Sequence, residues 1–431
     1  MGKKTHSGII LFGLLLLICR AVSAQSPAMG GEAYAIAAQD GAWCWFSDPR
    51  AVYHKGSRER IYYGYINSRG DVVISARDLQ TKAIETYILH ERLQVDDHNV
   101  PSILFLPDGH ILVFYTEHNG RFFMRKSVNP EDILSWEEER TIPFGGTHIT
   151  YSHPAMLKSE NNRIYMFWRG SDWRPSFSFS DDLGETWASA AALIDSNGAY
   201  NNRPYLKVST DNDQRIDFVF SDGHPNREKT NSVYHIYYRK GVFYQTNGEA
   251  LGRMEDLPIQ HTRVNKVYDG AATNIRSWIS DIALDKKGNP AIVYTRYPQD
   301  DDHRYHYARW DGKKWKDEEI CKAGSWITVV RPGEKITEHY YSGGISLDHH
   351  DPSNVYLSRQ ENGVFEVEHW KKKKTSWKRN PLTAQSGMSN LRPYVVAGYT
   401  GKHSIVLWMT GLYHHYTDFV TDIRINEPAN K

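Results

Sequence analysis

Residues 101–115 read PSILFLPDGHILVFY. Two apolar runs rich in Ile, Leu, Val and Phe flank Pro107-Asp108-Gly109, whose residue types suit the backbone of a tight turn, so the stretch predicts strand, turn, strand. The same design returns at residues 154–168 around Asn161-Asn162, at 204–220 around Asp211-Asn212-Asp213, and at 282–294 around Lys287-Gly288-Asn289. Further copies lie at 344–357 around Asp351-Pro352 and at 393–408 around Thr400-Gly401. The first three copies start about fifty residues apart, a spacing that suits propeller blades. Further strand-like runs follow several copies, at 122–127, 176–180, 232–239, 304–310 and 363–370.

Six copies plus a blade built from residues 34–89 make seven. The expectation is an all-β chain, a single seven-bladed β-propeller whose last blade is closed by both chain ends, residues 417–425 and 34–38. A chain of 431 residues is long for one ordinary core, and radial repetition both relieves that limit and leaves only short, protected sheet edges. There is no long amphipathic helical pattern and no Pro/Ser-rich linker, so residues 25–431 are expected to form one domain. Residues 180–187, SDDLGETW, fit the Asp-box pattern S-x-D-x-G-x-T-W, a turn between outer blade strands that marks architecture rather than chemistry. Lys371–Lys374 is read as a solvated hairpin turn in preference to an anion site.

The net charge is +1 with 24% charged residues, so no global bias points to nucleic acid or an anionic membrane. Aromatic residues make up 13%, including 27 Tyr and 13 Trp, which suits packed sheets first and sugar-binding surfaces second. Residues 1–24 read as an export signal: Lys3 and Lys4, an apolar core from Ile9 to Ile18, and Ala21-Val22-Ser23-Ala24 as the cleavage site. The apolar run is too short for a stable bilayer span. The mature chain is expected outside the cytoplasm, periplasmic or secreted, and monomeric. Cys44 and Cys321 remain after cleavage, either as one disulfide or as two unpaired thiols.

Histidines, a tyrosine and an arginine collect at strand ends: Asp96-Asp97-His98-Asn99, Glu117-His118-Asn119, Tyr151-Ser152-His153-Pro154 and Trp168-Arg169-Gly170. Loops and strand ends on a rigid sheet are where β proteins display chemistry. β-Elimination from a uronic acid needs a base for the C5 proton, a cation to neutralise the carboxylate as enolate-like charge develops, and an acid for the leaving oxygen. Histidine and tyrosine carry protons and arginine holds a carboxylate through two parallel bonds. His98, His118, Tyr151 and Arg169 supply these types with no cofactor needed for the chemistry. Each has a plainer role to set against this: His98 capping a turn beside Asp97, His118 exposed in a loop, Tyr151 packing beside His153, Arg169 paired with Asp172.

Arg203-Pro204-Tyr205 recurs as Arg392-Pro393-Tyr394, so the pattern is partly structural, yet Arg203 and Tyr205 are candidates to face the same cavity and bind substrate. His224, His235 and His339 are candidates for a structural zinc or calcium, with His224 and His339 foremost, although no close-spaced ligand pair supports it. No G-x-S-x-G elbow, H-E-x-x-H helix or Gly-rich phosphate loop is present.

Trp43-Cys44-Trp45-Phe46-Ser47-Asp48-Pro49-Arg50, Asp96-Asp97-His98-Asn99, Trp168-Arg169-Gly170, Arg203-Pro204-Tyr205, Gly223-His224-Pro225 and Tyr341-Ser342-Gly343-Gly344 resemble the BNR-4 repeat family. That family includes seven-bladed ulvan lyases and enzymes acting on rhamnose linked to glucuronic acid. The resemblance implies a histidine pair about twenty residues apart, matched by His98 and His118, then a tyrosine and a carboxylate-binding arginine, matched by Tyr151 and Arg169. It implies base and acid roles shared between His98 and Tyr151, in either order, with His118 assisting. Rhamnosidase-like members would instead use a histidine after Asp-Pro-Arg on the opposite face; here His54 stands one residue later than that pattern, and one residue reverses the face of a strand. The reading is therefore a polysaccharide lyase acting on a uronate-containing polysaccharide, with an α-L-rhamnosidase-like hydrolase and a non-catalytic carbohydrate-binding propeller as the alternatives.

Overall fold

Apolar runs bounded by turn residues become four-stranded antiparallel sheets, repeated around a ring. The computed structural model describes residues 1–2, 34–146, 148–196 and 203–426, and the described residues from 34 onward belong to one compact unit. The expected export signal, apart from its first two residues, lies outside the described residues. Blade 1 comprises Ala51–Lys55, Glu59–Ile66, Val72–Asp78 and Ile84–His90; blade 2, Ser102–Phe105, Ile111–Thr116, Phe122–Lys126 and Arg140–Thr141. Blade 3 comprises Thr150–Leu157, Arg163–Arg169, Pro175–Ser180 and Ala191–Ala192. Blades 5 and 6 run from Arg276–Leu284 to Trp315–Gly324 and from Ile345–Leu347 to Trp377–Pro381.

Blade 7 contains Ser389–Val395, Val406–His415 and Asp418–Asn426, and Tyr34–Ala38 completes it by pairing antiparallel to Asp418–Asn426. The expected first blade therefore loses its N-terminal part: residues 34–38 serve only as the closing strand, and blade 1 starts at Ala51. A parallel bridge between Val52 and Ala397 joins the two blades that flank the closure. Blade 4 departs from the pattern. Its meander of Leu206–Thr210, Arg215–Ser221, Val233–Arg239, Val242–Gln245 and Ala250–Arg253 is joined by Lys266–Tyr268, and a parallel pair, Ile194–Asp195 with Ile259–Gln260, ties it to the end of blade 3. The one α-helix among the described residues is Gly270–Thr273. No helix among them is long and apolar enough to cross a membrane.

Middle strands are covered on both sides by neighbouring blades, which explains why they read as continuous apolar runs rather than alternating ones. Glu59–Ile66 is buried from Arg60 onward, and Ile111–Thr116 is buried throughout. Between blades 3 and 4, Tyr165 and Tyr238 pack at 5.3 Å and share a hydroxyl hydrogen bond of 2.8 Å. Burying one such side chain contributes about 1.5–3 kcal/mol. The Asp-box closes a turn of blade 3: Ser180 Oγ accepts from Gly184 N at 2.8 Å, Asp182 Oδ1 accepts from Thr186 N at 2.8 Å, and Gly184 takes φ 94°, which suits a residue without Cβ. Cys44 and Cys321 are unpaired thiols, each pushed up to about 12 by burial.

Loops entering the innermost strands, and those joining second to third strands, gather on one face of the ring. The first–second and third–fourth strand hairpins gather on the other. Across the first face runs the segment 42–50. Trp45 stands edge-on to Trp278 of blade 5 at 4.7 Å and to Tyr341 before blade 6 at 5.2 Å. Phe46 lies 4.9 Å from Tyr151 of blade 3 and 5.1 Å from Tyr205 before blade 4. Rings from one segment thus touch four sectors and close the mouth of the axis. Beneath them Lys207 is buried against Asp48 and the Trp45 carbonyl, and Asp281 accepts from His349 Nε2 at 2.9 Å and Ser346 Oγ at 3.1 Å.

Candidate active site

Asp96 is the hub of the first face. It caps the short turn Asp97–Asn99, accepting from the His98 backbone N at 2.9 Å. Its Oδ1 also lies 2.6 Å from His98 Nδ1, and its Oδ2 lies 2.7 Å from His118 Nδ1. One carboxylate therefore occupies the same nitrogen of both rings, leaving Nε2 of each as the free nitrogen. The rings stack at 4.2 Å with 10° between planes. Tyr416, from the loop between the second and third strands of blade 7, stands edge-on to both, 4.8 Å from His98 and 5.5 Å from His118. Gln94 fixes the second loop, accepting from His118 N at 2.7 Å and Asn99 Nδ2 at 3.0 Å.

Burial alone would depress both histidines. For His98 the carboxylates of Asp96 and Asp97 outweigh burial and lift it from 6.5 to about 9. For His118 burial prevails, helped by the charge on His98 and opposed by Asp96, and it falls to about 4. Asp96 is held well below the usual carboxylate range by the two histidines, against burial. Across neutral pH the pair thus holds one extra proton, with one imidazolium and one neutral imidazole.

Tyr151 stands beside this pair, 5.6 Å from the His98 ring. Its backbone takes φ 69°, and the pairing of its strand with Arg163–Arg169 slips between Thr150 and His153. Such a bulge re-aims a side chain, and a left-handed tyrosine costs energy that the surrounding packing must offset. Burial pushes its phenol well above 10, with Tyr205 adding to the rise and Arg169 opposing it. Arg169, 5% exposed, donates to Asn119 Oδ1 and Thr150 Oγ1, both at 2.8 Å, and contacts the Tyr205 hydroxyl at 3.4 Å. Its guanidinium sits 4.5 Å over the Trp173 ring, whose other cation is Arg203 at 3.7 Å. Among the described residues no carboxylate lies within 4 Å of Arg169. A buried guanidinium without a counter-ion is a costly arrangement that an arriving anion relieves.

The structure brings together His98, His118, Tyr151, Arg169, Arg203 and Tyr205. It changes the plainer roles set against them. Asp96, rather than Asp97, caps the turn at His98; Asp97 lies 3.1 Å from His98 Nδ1 and also binds Arg392 and, at 2.8 Å, the Tyr413 hydroxyl. Asp172 pairs with Arg174 at 2.9 Å, not with Arg169. His153 turns toward the axis, accepting from Asp48 N at 3.2 Å.

His224 faces the same side, 4.5 Å from Trp278 and 5.5 Å from Tyr205, and burial with Arg169 and Arg203 nearby depresses it to about 3. His339 lies against Trp326 and Tyr340 instead. Among the described residues the single group of three or more potential metal ligands is Asp96, His98 and His118, whose nearest donors are already engaged with one another. His54 stacks on Phe105 at 4.0 Å and lies 3.6 Å from Glu131, at the opposite end of the inner strand.

Sequence reasoning missed Asp96 as the shared partner, and with it Asn119, Thr150, Tyr416 and Glu338. Glu338 lies 3.8 Å from His415, and burial, opposed by His98, raises its carboxyl to about 7. Asp96 alone left a local signal, an acidic residue two places before a histidine.

The profile of the BNR repeat-containing family (BNR_4) matches residues 60–323. An ulvan lyase of class PL25 from Pseudoalteromonas sp. (strain PLSV) is 32% identical over 23% of this chain and 23% of that protein. An ulvan lyase from Alteromonas sp. (strain LOR) is 24% identical over 51% of this chain and 52% of that protein. The chain thus spans about half the length of the second relative in the matched region, and less of the first. Among solved structures, a PL25 ulvan lyase bound to -[GlcA(1-4)Rha3S]- superposes with a TM-score of 0.69 at 15% identity, covering 91% of this chain and 95% of that one. The polysaccharide lyase Uly1 gives a TM-score of 0.54 at 13% identity, with 94% of each chain covered. At these identities the structural likeness is one of fold.

Proposed function

The chain belongs to the BNR repeat-containing family, and on that premise we propose that it is a polysaccharide lyase cleaving the linkage between a rhamnose and a uronic acid by β-elimination. The observation that carries the reading is the buried, unpaired Arg169 set beside the Asp96-bridged histidines and Tyr151. The uronate carboxylate docks on Arg169, which withdraws charge as the C5–H bond weakens. The base is a neutral imidazole of the His98–His118 pair, His118 in the free protein, acting through Nε2 because Nδ1 is held by Asp96. Tyr151 cannot share that role near neutral pH, since burial keeps its proton on; it is the acid that protonates the leaving oxygen at C4. The C5–H and C4–O bonds break, a C4=C5 double bond forms, the leaving oxygen keeps the proton given by Tyr151, and release of the histidine's proton to solvent is matched by uptake of one at Tyr151, which restores both groups.

Two relatives named as ulvan lyases, and a neighbour in fold bound to a glucuronate–rhamnose sulfate chain, support a rhamnose–glucuronate polymer as substrate. Export by residues 1–24 suits a polymer outside the cell. Incubation with ulvan and with gum arabic tests the reading. A lyase generates the absorbance of an unsaturated uronate, whereas new reducing ends without it would mean hydrolysis, and neither would mean binding alone.

A further inference from the structure

A cleft of about 1020 Å³ lies on the other face, between blades 5 and 6. Its walls are hairpins: residues 285–289 and 350–353 join first to second strands, and residues 311–314 and 373–376 join third to fourth. Asp96 and His98 stand on the turn that enters blade 2, Tyr151 at the start of the first strand of blade 3 and Arg169 at the end of its second, all on the first face. Half-buried Trp315 and buried Tyr307 line its interior. The volume matches or exceeds an ordinary small-molecule pocket of roughly 300–1,000 Å³, enough for several sugar units.

Its charge is one-sided once ion pairs are counted. Asp285 pairs with Arg309 at 2.5 Å, Glu318 with Lys372 at 2.7 Å and Asp351 with Lys371 at 2.6 Å. Asp317 pairs with Arg296, and Asp311 lies 3.9 Å from Lys316. Every lining carboxylate is therefore committed. Lys286, Lys287, Lys314, Lys373 and Lys374 remain, all exposed and, among the described residues, with no carboxylate within 4 Å. Five uncommitted ammonium groups around one cleft is a concentration of charge in a chain whose net charge is +1, and such a field draws polyanions. Lysine offers point charges on flexible stems, which suits sulfates and carboxylates spaced irregularly along a chain.

We infer that this cleft is a second binding site, remote from the active site, for a sulfated or carboxylated polysaccharide chain. It rests on the proposed substrate class but not on the chemistry. It would hold the polymer to the protein while another stretch enters the active face, raising the effective concentration of cleavable linkages.

The test uses the full chain in affinity electrophoresis through gels containing dextran sulfate or neutral dextran. Dextran sulfate has no uronate to cleave, so retardation reports binding whatever the fate of the lyase reading. Wild type should be retarded by the sulfated polymer alone. The quadruple variant Lys287→Ala, Lys314→Ala, Lys373→Ala, Lys374→Ala should bind at least ten-fold more weakly. If that variant melts early, the same four positions changed to Gln, which keep the stems and lose the charge, give the result. On substrate, the variant should lose kcat/KM on long polymer and keep that on a tetrasaccharide within two-fold. Unchanged retardation of the variants overturns the inference, and so does equal retardation of wild type by a DNA duplex of matched charge, which would make the cleft a general polyanion surface.

Discussion

Replacing Asp96 by Asn keeps the size of the side chain and removes one acceptor. In the structure both carboxylate oxygens are engaged with ring nitrogens, at 2.6 Å to His98 and 2.7 Å to His118. An amide has one oxygen, so one histidine must meet an NH₂ group and turn its Nδ1 into an acceptor. That ring then carries its proton on Nε2 and can no longer take one there. Charge is lost as well. Asp96, with Asp97, lifts His98 from 6.5 to about 9 against burial, and at about 1.36 kcal/mol per unit that is roughly 3 kcal/mol of preference for the imidazolium. Losing most of this accounts for about 10²-fold in rate if the charge supports the enolate. The wrong tautomer adds to it, and asparagine for aspartate behind a catalytic histidine lowers kcat by roughly 10⁴ in serine proteases. The expectation for Asp96→Asn is a fall in kcat of about 10³–10⁴ with KM within a few-fold. Initial rates of unsaturated-uronate absorbance across pH measure it, and the alkaline limb should move down from near 9. A variant within ten-fold of wild type, with its pH profile unmoved, would refute the shared-carboxylate mechanism.

Tyr151→Phe removes the proposed acid and should lower kcat by roughly 10²–10⁴; a substrate carrying a good leaving group at C4 should recover much of the loss, and absence of recovery would reassign the residue. Arg169→Ala should weaken turnover of the uronate far more than binding of its neutral, carboxyl-reduced analogue, read as two KM or Kd ratios. His54→Ala should leave activity within a few-fold, because His54 packs on Phe105 at the far end of the strand; a thousandfold loss in a folded variant would move the site to that face. The raised pKa of His98 also ties stability to pH. Its folded value lies above 6.5, so its contribution is complete below 6.5 and disappears as pH rises through about 9. The gap in melting temperature between wild type and His98→Gln should therefore shrink between those two values.

The sequence by itself determined the ring. Each strand–turn–strand copy is specified within about fifteen residues, by turn chemistry and by apolar runs that must be covered on both sides, and seven such units have one economical way to close. Even the closing strand, Tyr34–Ala38, was legible in its composition. The identities of His98, His118, Tyr151 and Arg169 were legible too, as polar residues at the ends of such runs. Tertiary structure alone decided how they act. The bond from Asp96 to His118 spans 22 residues and two loops. The aim of Tyr151 depends on a bulge and a φ of 69° that no local pattern announces. Tyr416 and Glu338 reach the site from blades 7 and 6, and residues 42–50 floor it by touching four sectors at once. The lysines of the distal cleft are scattered over four hairpins, and Lys371–Lys374 read alone as a solvated turn. Strands are set by short-range periodicity, whereas a site is set by where loops from separate blades converge, and that distance is known only once the ring has closed.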